Sequence, residues 1–93
     1  KFISFYENGK NFKIITKDSM IRHFLLVNPH RIVVDFKRDM NFKTYSKQIT
    51  TNTYFSKIRL GNHDGYYRIV IELDGYYAYR IQNKNNNYIF KLK

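Results

Sequence analysis

The hexapeptide Arg68-Ile69-Val70-Ile71-Glu72-Leu73 has a near copy 37 positions upstream, Arg31-Ile32-Val33-Val34-Asp35-Phe36. The echo extends outward, because Ile21-Arg22 precedes Arg31 by the distance that Ile58-Arg59 precedes Arg68. Overlaying residues 20–45 on 57–82 gives five identities. An offset of this length marks a repeated supersecondary unit, here a strand, a turn and a second strand used twice. Both hexapeptides alternate with period two. Ile32, Val34 and Phe36, with Ile69, Ile71 and Leu73, point to one side and form a core face. Arg31, Val33 and Asp35, with Arg68, Val70 and Glu72, point to the other. Burying each core side chain contributes roughly 1.5–3 kcal/mol, so the pattern fixes which face meets a second layer.

The rest of the chain supplies further short strands. Residues 2–6 and 12–17 read as strands around Asn8-Gly9, a pair suited to the positive φ of a hairpin turn. Residues 20–27 carry apolar groups on both parities, as in a strand covered on both sides. Asn28-Pro29-His30-Arg31 reads as a tight turn with proline fixing φ at its second position. Strands are expected at 54–60, 66–73, Tyr77–Ile81 and Tyr88–Lys93, with turns at 61–65, at Asp74-Gly75 (a hairpin) and at 83–87. Residues 38–53 are polar and fit either a helix (Phe42, Tyr45 and Ile49 on one face) or a strand, so they read as a connection with some regular structure. Strands recurring about every ten residues, separated by Gly, Asn or Asp, predict an all-β fold. The expectation is a pseudo-symmetric β-sandwich of two small sheets, built from the duplicated strand-turn-strand unit.

Two assemblies satisfy the repeat. Antiparallel pairing with Val33 opposite Val70 sets Arg31 against Glu72 and Arg68 against Asp35, each pair contributing roughly 0.2–1 kcal/mol. Alternatively each copy occupies its own sheet, the apolar faces meet across the core, and each arginine finds its acid locally. The second is the simpler sandwich and is the expectation carried forward.

At 93 residues the chain reads as one domain, and its start at Lys1 rather than Met reads as a piece trimmed from a longer protein. Seventeen Lys and Arg against seven acids give a net charge of +10, spread along the chain. An even basic coat points to anionic partners such as nucleic acid, phospholipid or cell-wall polymer. With no cysteine, disulfides and Cys-based metal sites are excluded. No apolar run approaches the roughly 18 residues of a membrane-spanning helix.

Catalytic chemistry finds no support. Ser4, Ser19, Ser46 and Ser56 sit in no glycine-rich elbow and beside no histidine. Asp35 and Glu72 each have an arginine four residues away on the same face, which points to ion pairing rather than acid–base work. His23, His30 and His63 lack ligand spacing, and Asp64 is explained as a turn residue. No catalytic residue, metal or cofactor is expected.

The aromatic set is more informative. Tyr66, Tyr67, Tyr76, Tyr77 and Tyr79 lie among Arg59, Arg68 and Arg80, and aromatics make up 18% of the chain. Tyrosine offers a flat apolar face to a sugar or base, and arginine a two-pronged donor to carboxylate or phosphate. Being in strands, about half of these tyrosines are equally well read as merely covering the sheet. Arg59 projects opposite Ile58 and Leu60, and the turn after it delivers Tyr66 and Arg68 to the neighbouring strand. Arg59, His63, Tyr66 and Arg68 therefore form a candidate ligand patch, with Arg22 and Arg31 as the counterpart in the first copy. Arg31 and Arg68 equally well serve only to pair with the two acids.

A turn leading into Arg-Ile-Val-Val-Asp-Phe, followed by Ile-Arg-Leu-Gly-Asn-His-Asp-Gly-Tyr-Tyr-Arg-Ile-Val-Ile-Glu-Leu, resembles the AMIN domain, the amidase N-terminal module. The motifs span residues 20–82, and Ile58–Leu73 is their more specific half. The resemblance implies a pseudo-symmetric β-sandwich in the bacterial periplasm or cell envelope, found beside amidase domains and in secretin-type outer-membrane proteins. It implies a non-catalytic module that holds its host on peptidoglycan, and it carries over no set of ligand residues. Peptidoglycan suits the residues too, with ring faces for tyrosine and stem-peptide carboxylates for Arg and Lys. The rival expectation is a protein-interaction module in an envelope assembly, using an exposed strand edge. Nucleic acid is a distant third and is not the expected partner.

Overall fold

A computed structural model describes residues 2–39 and 41–93. Among these residues the strands are β1 (Ile3–Asn8), β2 (Asn11–Thr16), β3 (Ser19–Leu26), β4 (Arg31–Lys37), β5 (Tyr45–Gln48), β6 (Phe55–His63), β7 (Tyr66–Leu73), β8 (Tyr79–Lys84) and β9 (Asn87–Leu92). They form two antiparallel sheets, β1-β2-β9-β8 and β3-β4-β7-β6-β5, and no helix occurs among the described residues. The molecule is an all-β sandwich, as the strand pattern predicts.

The placement of the two copies differs from the expectation. Both hexapeptides lie in the same five-stranded sheet, as its neighbouring strands β4 and β7, with Val33 opposite Val70. Arg31 then faces Glu72 and Asp35 faces Arg68. The second layer is built instead from the two ends of the chain. Phe12, Ile14, Phe90 and Leu92, alternate residues on β2 and β9, are all buried and supply its inner face. With that face available, the copies are free to take the register that places unlike charges opposite each other.

The repeat is also imperfect in its outer strands. Arg22 on β3 pairs with Asp35, whereas Arg59 on β6 pairs with Val70, and Lys57 takes the place opposite Glu72. The two arginines that match in sequence are therefore two residues apart in register. Bulges between Met20 and Arg22 and between Phe55 and Lys57 interrupt both outer ladders.

The core lies between the sheets. Ile32, Val34, Phe36, Ile69, Ile71, Phe55, Ile14 and Phe90 have no exposed surface, and Phe12 meets Phe55 edge-on at 5.3 Å. Tyr67 is buried among them and stacks on Phe36 at 5.5 Å. Its hydroxyl meets Thr16 Oγ1 at 3.2 Å and donates to Asp18 at 2.8 Å. Arg38 donates to the same carboxylate, and the Tyr88 hydroxyl to the Asp18 carbonyl. One acid between β2 and β3 thus ties both sheets together. Burial pushes the Tyr67 hydroxyl well above its ordinary range, and Asp18 beside it adds to the effect.

Several local expectations need correction. β3 is an edge strand, and its apolar residues of both parities reflect exposure rather than double coverage, with Ile21 43% and Leu26 38% exposed. Asp74-Gly75 does not close a hairpin, because β7 and β8 belong to different sheets and residues 74–78 carry the chain between them. Strand β8 accordingly starts at Tyr79, two residues later than expected. The connection at 38–53 contains a short strand, β5, rather than a helix; Met40 within it lies outside the described residues. In the turn before Arg31 the Asn28–Pro29 peptide is cis and Asn28 has φ +61°. The β8–β9 hairpin closes through Asn85 and Asn86 at φ +50° and +67°, the pairing of asparagines with positive φ that a two-residue turn requires.

Candidate functional site

Period two puts one set of side chains on the solvent face of the five-stranded sheet. Arg22, Phe24 and Leu26 come from β3, Arg31, Val33 and Asp35 from β4, and Tyr66, Arg68, Val70 and Glu72 from β7. Lys57, Arg59 and His63 come from β6. Register aligns them in cross-strand rows: Phe24–Val33–Val70–Arg59 through the centre, and Arg22–Asp35–Arg68–Gly61 on one side of it. All six residues of the expected patch lie on this face. The first-copy and second-copy residues form one surface, because the copies are neighbours in one sheet.

The Asp35 row is tied down. The carboxylate has no exposed side-chain surface. Arg68 donates to it from Nε at 2.8 Å and from Nη2 at 3.0 Å, and Arg22 donates from the opposite side. Burial raises the carboxyl's proton affinity, but hydrogen bonds and charge from Arg68 and Arg22 outweigh it and hold Asp35 below the ordinary carboxylate value. Arg22 also sits 5.1 Å from the centre of the Tyr66 ring, and Arg68 lies 5.6 Å from Phe24. His63 stacks on Tyr66 with ring centres 4.8 Å apart and planes 5° apart. The result is a run of alternating cations and rings across four strands.

Beside this cluster lies a depression of ≈ 420 Å³. Val33, Val70, Leu26 and Pro29 give it an apolar floor, with Arg31, Arg59, Arg68 and Glu72 around them. The four charged groups differ in availability. Arg68 is committed to Asp35. Arg31 donates to the carbonyls of Val27 and Pro29 at 3.1 and 2.7 Å, bracing the turn that leads into β4. Arg59 is exposed and, among the described residues, forms neither an ion pair nor a side-chain hydrogen bond. Glu72 lies between Arg31 and Lys57 in the ladder yet forms no ion pair among the described residues. The depression therefore offers a free guanidinium and a free carboxylate over an apolar floor.

The expected local pairing of each acid with the arginine four residues away on its own strand does not occur. Asp35 draws its partners from the two flanking strands, where cross-strand neighbours are closer than same-strand ones. Arg22 is consequently part of the ion cluster although its own strand carries no acid. The tyrosine set is not gathered into one surface. Tyr67 is core, Tyr66 lies on the solvent face, and Tyr77 packs edge-on against Tyr54 at 5.9 Å. Tyr79, on the edge strand β8 of the other sheet, hydrogen-bonds His23 of β3 at 2.8 Å. Phe24, Leu26 and Glu72 belong to the surface but not to the expected patch. For Phe24 and Leu26 the signal is their shared parity with Arg22, masked by the apolar residues at the alternate positions.

Among the described residues no three His, Cys, Asp or Glu side chains converge as a metal ion would need. A family model described as the AMIN domain matches residues 3–92. Comparison with curated proteins finds no match.

Proposed function

This chain belongs to the AMIN-domain family of cell-envelope targeting modules, and on that premise we propose that it binds peptidoglycan through the solvent face of its five-stranded sheet, holding its host protein on the wall without catalysing a reaction. The observation that carries the reading is the depression over Val33 and Val70, with Arg59, unpaired among the described residues, at its side and Glu72 opposite a committed Arg31. A carboxylate of a stem peptide suits the fork of Arg59, and methyl groups of the same peptide suit the valine floor. The Tyr66 ring is already covered by His63 and by the Arg22 guanidinium, so the outer face of His63 is the ring surface left for a sugar. The Asp35 cluster positions this surface rather than binding with it.

Charge alone also attracts nucleic acid, and salt separates the two. Binding that rests on counterion release weakens by orders of magnitude between roughly 50 and 200 mM salt. Co-sedimentation with purified sacculi, run beside single-stranded DNA at both salts, tests the reading. Retention on sacculi through that range supports it. Sacculi that leave the protein in the supernatant while DNA retains it at the higher salt contradict it.

A further inference from the structure

We propose that a second surface, the groove between the free edges of β1 and β5, accepts an extended acidic segment of another protein as an added strand. β1 ends the four-stranded sheet and β5 ends the five-stranded one. Between them runs a groove of ≈ 390 Å³ along the consecutive residues Phe2 to Tyr6, walled on the other side by Lys43, Tyr45 and Lys47. That both parities of β1 line it means that the strand's backbone edge faces the groove, and among the described residues no strand pairs with that edge.

Parity explains what stands opposite. Tyr45 pairs with Leu60 and Lys47 with Ile58, so both share the inner face with those buried residues. They are nevertheless exposed, Tyr45 by 42%, because the covering sheet stops at β1. Phe5 reaches Tyr45 at 6.3 Å and closes the core behind the groove. A strand added to β1 would continue the four-stranded sheet and direct alternate side chains at Lys43, Tyr45 and Lys47. The matching sequence is acidic, any, apolar, any, acidic, the apolar residue resting on Tyr45.

The occupant follows from charge. A second copy of this chain carries the same +10, and bringing two such edges together opposes like charge. An acidic strand gains at both lysines, and main-chain pairing to β1 supplies affinity independent of its exact sequence. This groove lies on the open side of the sandwich, away from the depression over Val33 and Val70, and the inference does not depend on the peptidoglycan reading.

The test uses a labelled peptide, acetyl-Thr-Asp-Thr-Leu-Thr-Asp-Thr-amide, with two controls: lysine in place of both aspartates, and N-methylated backbone amides. Fluorescence anisotropy gives affinity, and amide chemical shifts give location. Lys43→Glu with Lys47→Glu supplies the protein variant, and both side chains are exposed, so the melting temperature should hold. Expected are saturable binding of the acidic peptide, shifts confined to residues 2–6 and 43–47, and weakening by about tenfold or more in the variant and with either control, the scale of lost charge and edge pairing. No binding at millimolar peptide, equal binding of the lysine peptide, undiminished binding to the variant, or shifts on the face that carries Arg59 would each overturn the proposal. So would a dimer of the chain that the peptide dissociates, since the groove would then belong to a second copy.

Discussion

Arg68 holds the buried carboxylate of Asp35 with two parallel hydrogen bonds, from Nε at 2.8 Å and from Nη2 at 3.0 Å, across the junction where the two copies of the repeat meet. Arg22 completes the grip from the other flank. The relationship divides the basic residues of this face into two groups. Arg22 and Arg68 fix the sheet and its rings in place. Arg59, one row away, is left available to a ligand.

The first group has an energetic signature. Removing both arginines by Arg22→Ala with Arg68→Ala leaves Asp35 without a counter-charge; because both guanidiniums are partly exposed and water reaches the vacated site, the loss should fall below the about 3–5 kcal/mol of a fully buried pair. Adding Asp35→Val removes that charge and should recover a large part of the loss. Denaturant unfolding of the double and triple variants checks this. A triple variant less stable than the double would mean that the carboxylate has other partners that matter more.

The same cluster predicts a pH dependence with a definite sign. Asp35 has a folded value below its unfolded 3.8. Its contribution is therefore fully present above that pH and is lost as pH falls through the lower folded value. Compared with Asp35→Asn, the parent should be more stable near neutrality, and its advantage should shrink only below about pH 3.8. An advantage that stays constant or grows in acid would contradict the assignment.

Tyr67 offers an independent check on the fold. Its hydroxyl connects Thr16 and Asp18 inside the core, so Tyr67→Phe keeps the packing but strips two groups of a partner. The expected loss is about 1–2 kcal/mol by calorimetry or denaturant unfolding, with unchanged amide dispersion elsewhere. Tyr66→Phe, on the solvent face, should cost less than Tyr67→Phe.

Most strands are legible in the sequence because alternation is a local signal, and hairpin turns such as Asn85-Asn86 announce themselves by residue type. Sheet membership is not local. Nothing in Arg31–Phe36 and Arg68–Leu73 states whether they are neighbours or face each other across the core, and the choice depends on Phe12, Ile14, Phe90 and Leu92 at the far ends supplying the second layer. Edge position is equally hidden: Ile21, Leu25 and Val27 interleaved with Phe24 and Leu26 look like a central strand, yet β3 lies at the margin. For the site, the residue types and parities suffice to gather six positions on one face. The two-residue slip between β3 and β6 is invisible in the alignment of the copies, and it is what sends Arg22 to Asp35 and leaves Arg59 free.

The proposed binding therefore requires Arg59 and its neighbours to act as a site rather than as part of a diffuse basic coat. The direct measurement is co-sedimentation with purified sacculi of Arg59→Ala with Tyr66→Ala, against Lys13→Ala with Lys84→Ala, whose exposed side chains belong to the other sheet. The control removes more positive charge than the test variant, so diffuse attraction would penalise the control harder. The prediction is that the Arg59 and Tyr66 variant keeps its fold and loses sacculus binding while the control stays bound. Equal loss in both, or greater loss in the control, would contradict it.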